Sequence, residues 1–188
     1  MSSVPALAEK RRDAARTKDA ILRAAQATFS TTGYAQTGLR EIAARAGINA
    51  ALVARYFGSK EALFEAALRD SLDVPRLLAG GRAGFGRHVA GLLCAPLDKV
   101  DPTAILVLAA ADAEAKAVAI RLLEALVIDV LARWLDVADA ETRAAEISIL
   151  CTGYVVYRRL LPIAALADGR GDATVAWLAE ALQAVVDR

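Results

Sequence analysis

The sequence holds one histidine, two cysteines and one methionine in 188 residues, and aromatic side chains make up only 5% of it. A single histidine leaves no paired imidazole for a metal site or a proton relay, and no Cys/His pair stands at ligand spacing. No metal and no cofactor are therefore expected, and no nucleophile–base pattern suggests catalysis. Cys94 and Cys151 lie inside apolar helical stretches and read as buried thiols in a reducing cytoplasm rather than a disulfide framework. Long apolar runs are missing. The longest, Ala104 to Ala111, falls far below the roughly 20 residues of a membrane span. The opening MSSVPALAEKRR puts charge directly after a brief apolar patch, unlike a secretory signal. Period-two alternation with β-branched residues is also absent, so no sheet is expected.

What remains is alanine-rich and 56% apolar, a composition for helices packed through small side chains. The length allows one large or two small domains. Charge is uneven along it. Residues 1–62 carry ten Lys and Arg against five acids, and the remainder carries thirteen against seventeen. A basic head on a mildly acidic body suits a DNA-binding domain attached to something else.

Residues 39–58, LREIAARAGINAALVARYFG, carry the most specific pattern. They read as a short helix, a turn at Gly47 and a second short helix. Ile42, Ile48, Val53 and Tyr56 fall where two steeply crossing helices bury them, and Ala43 falls at the crossing. Gly47 ends the first helix, where a left-handed turn is cheap for glycine. This is the logic of a helix-turn-helix, whose second helix enters the major groove of DNA. Helices are expected at 16–32, 39–46 and 49–55, from a Ser59 cap to before Pro75, and at 82–95, 102–112, 114–135, 139–164 and 172–187. Pro96, Pro102 and the Asp168–Gly171 turn separate the later ones. Residues 73–86, with four glycines and a proline, mark a boundary.

Over residues 12–70 the chain resembles the DNA-binding domain of the tetracycline-repressor (TetR) family. The matching pieces are Ile21 to Phe29, Gly33-Tyr34, Thr37, Arg40-Glu41-Ile42-Ala43, Ala46-Gly47-Ile48 and Tyr56-Phe57-Gly58-Ser59-Lys60-Glu61 with Leu63-Phe64. The resemblance implies an all-α protein of about nine helices. Residues 1–15 would be a mobile basic arm, 16–72 the DNA-binding domain with its linking fourth helix, and 73–188 an effector-binding and dimerisation domain. It implies a transcriptional regulator, usually a repressor, that binds a palindromic operator as a homodimer and is released by a small, largely apolar effector. The chain departs from the family at Gly38, where Ser or Thr is common, and at Ala54, where many members carry a phosphate-contacting tyrosine. Alternatives are an architectural DNA-binding protein without effector, and a helical enzyme.

On the expected reading helix, Asn49 is an N-cap candidate, and Ala50, Ala51, Ala54 and Arg55 remain to face DNA. Alanine methyls suit thymine methyls, and Arg55 either forks onto a guanine or holds a phosphate. Thr37, Arg40 and Lys60 are phosphate candidates beside the amide ends of two helices. Tyr56 is either a phosphate contact, as the resemblance implies, or a core aromatic. Arg11, Arg12 and Arg16 either enter the minor groove or belong to a disordered arm. In the C-terminal region, Phe85, His88, Leu92, Trp134, Tyr154 and Tyr157 are pocket candidates, each with a plain packing alternative. Ile147 and Cys151, with Val175, Leu178, Leu182 and Val185, recur at helical spacing and pair with a second copy in a four-helix bundle, fill the core of one chain, or do both, since one helix can bury two faces. The Gly80–Gly86 run lacks the strand and the Lys-Ser/Thr ending of a phosphate loop and is rejected as one.

Overall fold

The computed structural model describes residues 4–96, 100–166 and 172–188, all of whose regular structure is helical. In chain order the helices are α1 (Val4–Thr32), α2 (Leu39–Ala46), α3 (Ala50–Phe57), α4 (Lys60–Ser71), α5 (Val74–Leu78), α6 (Gly81–Cys94), α7 (Pro102–Ala109), α8 (Ala113–Leu123), α9 (Asp129–Leu135), α10 (Ala140–Val155) and α11 (Asp172–Asp187). A π-helical turn, Glu124–Ile128, joins α8 to α9, so the rod expected at 114–135 is one continuous run. A second π turn, Val156–Leu160, ends α10 ahead of Pro162, where a helix was expected to continue to 164. The all-α class holds. The expected Asp168–Gly171 turn lies outside the described residues.

Two local expectations are corrected. Residues 4–15 belong to α1 rather than to an arm. Pro5 fits a helix's first turn, and the Ala, Leu, Glu, Lys and Arg that follow are strong helix formers. Residues 74–78 form a helix inside the expected break. Asp73 caps α5 by accepting from the Arg76 amide at 3.2 Å, and Pro75 occupies its first turn.

The chain forms two compact units. One comprises residues up to Ser71 together with Ile105–Ala119, and the other Leu72–Ala104 together with Ile120–Arg188. The path is therefore not linear: α7 enters the first unit in mid-helix and α8 leaves it in mid-helix.

In the first unit, Ile21, Ala25 and Phe29 recur every fourth residue on α1 and are buried with Ile42, Val53, Leu63, Phe64 and Leu68. Phe29, Tyr34 and Phe64 form an aromatic trio with centroids 5.1–6.1 Å apart. Buried Gln26 ties α1 to the end of α4, donating to the Ala67 carbonyl at 3.1 Å and to Asp70 at 2.9 Å.

In the second unit, α6 packs most extensively on α11. Phe85, Val89, Leu131, Leu135, Ile147, Leu178 and Leu182 are its buried centre. Arg159 stitches the unit together from the α10 end. It pairs with Asp101 at 2.7 Å and donates to the Leu93 and Ala95 carbonyls at 2.7 and 3.0 Å.

Candidate nucleic-acid interface

The α2–turn–α3 motif is fixed by its ends. The Gly38 carbonyl accepts from the Glu41 and Ile42 amides, and because glycine has no side chain α2 starts without a side-chain cap. At its far end Gly47 adopts φ 69°, and the amides of Gly47 and Ile48 bond back to Ala44 and Ala43 at 3.1 and 3.0 Å. That closure satisfies the last carbonyls of α2 and turns the chain into α3. Asn49 then caps α3, its side chain accepting from the Ala51 amide at 2.8 Å. Ser59 caps α4 likewise, accepting from the Ala62 amide at 3.0 Å.

Burial sorts the side chains of α3 into two faces. Val53 is fully buried, and Leu52, Tyr56 and Phe57 are half-buried. Ala51, Ala54 and Arg55 are exposed and Ala50 is partly so, leaving one long donor among small side chains. Arg40 is exposed in the first turn of α2. Lys60 is half-buried. Its ammonium lies 4.2 Å from the Tyr34 ring centroid and 3.5 Å from the Ala35 carbonyl.

Thr37 does not join this face. It is buried and its hydroxyl donates inward to the Gly33 carbonyl at 2.6 Å, so it holds the α1–α2 connection instead of meeting a phosphate. Arg12 and Arg16 are exposed on α1, one turn apart on one helical side, and not on an arm. The Arg11 side chain lies outside those described. Two basic groups escaped the sequence reading. Arg45 is exposed in the last turn of α2, and Lys18 of α1 lies 5.9 Å from the Phe57 ring at the end of α3.

The pocket candidates of the second unit separate. Phe85 and Trp134 pack with tilted rings, centroids 5.1 Å apart, and Tyr154 is buried in the same apolar cluster. The Tyr154 hydroxyl lies 3.1 Å from the Cys94 thiol, and burial followed by that contact pushes its pKa up to about 12. Leu92 is half-buried. His88 is turned to the backbone: its Nε2 donates to the Arg76 carbonyl at 2.8 Å, tying α6 to α5. Tyr157 is 52% exposed and does not join that cluster.

Of the expected dimer stripe, Ile147, Leu178, Leu182 and Val185 are buried within the single chain, and Cys151 and Val175 pack against them. They contribute to the core of the unit, with Cys151 and Val175 left partly exposed. The large apolar side chains that α10 and α11 do expose are Ile149 (69%) and Trp177 (55%). Among the described residues no His, Cys, Asp or Glu group is arranged to hold a metal, and no helix is long and apolar enough to cross a membrane.

Comparison with known proteins agrees with this geometry. Residues 21–67 match the family model described as bacterial regulatory proteins of the tetR family, and residues 83–186 match the tetracyclin repressor-like C-terminal domain. The HTH-type transcriptional regulator RutR of Escherichia coli (strain K12) is 49% identical over 57 residues, which are 30% of this chain and 27% of that protein. A TetR-family regulator from Streptomyces coelicolor A3 superposes with TM-score 0.56 at 26% identity, covering 93% of this chain and 96% of that one. NalD, the secondary repressor of the MexAB-OprM multidrug efflux pump in Pseudomonas aeruginosa, shares the fold with TM-score 0.62 at 18% identity, over 89% and 95% of the two chains.

Proposed function

The chain belongs to the tetracycline-repressor family of bacterial transcriptional regulators, and from that premise we propose that it represses transcription by binding a palindromic operator as a homodimer until a small, largely apolar effector releases it. As a member of this family it is a DNA-binding regulator and not an enzyme. The reading of its DNA contacts is carried by one observation, the exposed Ala51-Ala54-Arg55 face of α3 on a helix fixed at both ends. Small side chains let the helix approach the groove floor, where methyl groups meet thymine methyls and Arg55 reaches a guanine edge. Arg40, the leading amides of α2 and Lys60 hold phosphates, and Tyr56 joins them at the edge of the helix.

Two apolar features support the rest. Ile149 and Trp177 stand among small exposed neighbours, Ala145 and Thr152 on α10 and Ala173 and Ala184 on α11. Such faces pair closely about a twofold axis, as in a four-helix bundle. The Phe85–Trp134–Tyr154 cluster, with one hydroxyl and one thiol, suits an apolar ligand carrying a single polar group. NalD is a repressor, which favours the same sign here. The cytoplasm is the compartment in which such a protein meets its operator.

The test is selection of bound fragments from a random duplex DNA pool at low salt, with sedimentation of the free protein alongside. A dimer that enriches an inverted repeat, with half-sites about one DNA turn apart, is the expected result. A monomer that retains no duplex at any concentration overturns the reading.

A further inference from the structure

Tyr34 makes a contact that its place in an aromatic core does not require. Its ring packs on Phe29 and Phe64, yet its hydroxyl donates to Glu114 Oε2 at 2.5 Å, across 80 residues of sequence. Glu114 is not needed where it stands. The first turn of α8 is already capped by Asp112, whose Oδ1 accepts from the Glu114 and Ala115 amides at 3.0 Å each. The α7–α8 segment also meets the same connection at Gly33, where an added Cβ would lie 3.5 Å from Leu108 Cβ.

On the other side, Tyr34 governs three of the groups assigned to phosphate. The Thr37 amide bonds to the Tyr34 carbonyl at 3.2 Å, and Gly38, one residue on, is the N-cap of α2. That places the α2 amides and Arg40 two short steps from Tyr34. The Lys60 ammonium rests on the Tyr34 ring itself. Three acids face the phenol, Glu114, Asp112 and Glu61, and they act with burial to keep it protonated and donating.

We propose that Tyr34 and Glu114 are positioning residues for DNA binding: their hydrogen bond fixes the α1–α2 connection so that the α2 amides, Arg40 and Lys60 meet the phosphate backbone together. The pair touches no DNA itself. It rests on the reading of the α2–α3 face as the DNA contact.

The probe is a mixed-sequence duplex of about 30 base pairs, long enough for two half-sites one turn apart. Its affinity for the full-length protein is followed by fluorescence anisotropy across a salt series. Tyr34→Phe keeps the ring and adds no charge, so the head folds and melts near the wild type. It should weaken binding about five- to tenfold and lower the slope of log affinity against log salt by about one ion, as loss of one phosphate contact does. In a Glu114→Ala background, which removes the acceptor, the same substitution should have little further effect, since the bond is already cut. Wild-type affinity and salt slope in a normally melting Tyr34→Phe variant would overturn the proposal, as would an equal loss with and without Glu114. Failure of the wild type to bind any duplex is seen before a substitution is made; it removes the DNA reading and this proposal with it.

Discussion

Replacing Gly86 with alanine should damage the second unit, while the same replacement at Gly84, in the same helix, should help it. A Cβ built on Gly86 would stand 2.0 Å from the Ala179 carbonyl oxygen, 2.9 Å from the Gln183 nitrogen and 3.0 Å from the Ala179 carbonyl carbon. All three are backbone atoms of α11, so no side chain can rotate away. Ordinary contact requires α6 and α11 to part by more than about 1 Å, which thins the contacts of Phe85 and Val89 with Leu178 and Leu182 and forfeits a quarter to a half of their dispersion energy. The Gly86 amide also loses its bond to Gln183 Oε1, now 3.0 Å. Overpacking of about 1–3 kcal/mol and a lost hydrogen bond of about 1 kcal/mol are offset by the 0.5–1 kcal/mol that alanine gains over glycine in a helix, leaving a loss of about 1–3.5 kcal/mol. For a chain of this size that lowers Tm by about 2–14 °C. At Gly84 nothing lies within 4 Å of the added carbon, so the helix gain stands alone and Tm rises by about 1–4 °C. Thermal melts followed by circular dichroism at one fixed protein concentration compare the two. A Gly86→Ala protein that melts at or above the wild type would refute the close approach of α6 to α11.

Asp101→Ala should cost about 3–5 kcal/mol in urea unfolding, because the carboxylate both pairs with Arg159 and caps α7 through the Thr103 amide at 2.9 Å; a loss below about 1 kcal/mol would remove the pair from the structural account. Arg55→Ala should weaken a selected operator by about 1–3 kcal/mol and relax its sequence preference, while an equal loss on scrambled duplex would demote Arg55 to a phosphate contact. Stability should decline as pH rises from about 9 to 12. The unfolded chain ionises Cys151 and Tyr154 from their ordinary 9.0 and 10.0, while burial first, and for Tyr154 its bond to Cys94, holds the folded groups protonated to about 12. Alkaline melts of the wild type and Tyr154→Phe measure this, and a flat profile between pH 9 and 11 would contradict it.

The head was legible in the sequence because its signals are local. Gly47 and Asn49 set the end of one helix and the start of the next through bonds spanning a few residues, and the structure carries both. Pro75 misled because proline stops a helix and also starts one; only the Asp73 cap distinguishes the two, and a five-residue helix shows no periodicity. The stripes Ile147–Cys151 and Val175–Val185 announced an apolar face correctly but not what covers it. Periodicity reports burial and is blind to whether the covering atoms come from the same chain. The exposed candidates, Ile149 and Trp177, are single large side chains among alanine and threonine, too isolated to form a pattern. Tyr34 and Glu114 stand 80 residues apart, and no local rule pairs them. Thr37 reads as a polar residue before a helix, and only the fold shows its hydroxyl turned to Gly33.

The second unit limits where the binding energy of the proposed effector could act. Coupling between two sites requires two conformers that the ligand binds unequally, and therefore an element able to take two positions. α6 is a poor candidate. Near its start Arg82 donates to the Trp134 and Leu135 carbonyls, the last of α9, at 2.6 and 2.5 Å. Along its length Gly86 meets the backbone of α11, and Gln183 bridges the Gly86 amide to the Arg82 carbonyl. At its end Arg159 holds the Leu93 and Ala95 carbonyls. These ties hold α6, α9 and α11 together, with Phe85 packed on the tilted ring of Trp134. The helical run that enters this group from the N-terminal side changes its hydrogen-bond register at the Glu124–Ile128 π turn, about one helical turn beyond the point where α8 leaves the first unit. An effector of the proposed kind, wedged against Trp134, would meet a fixed wall on the α6 side.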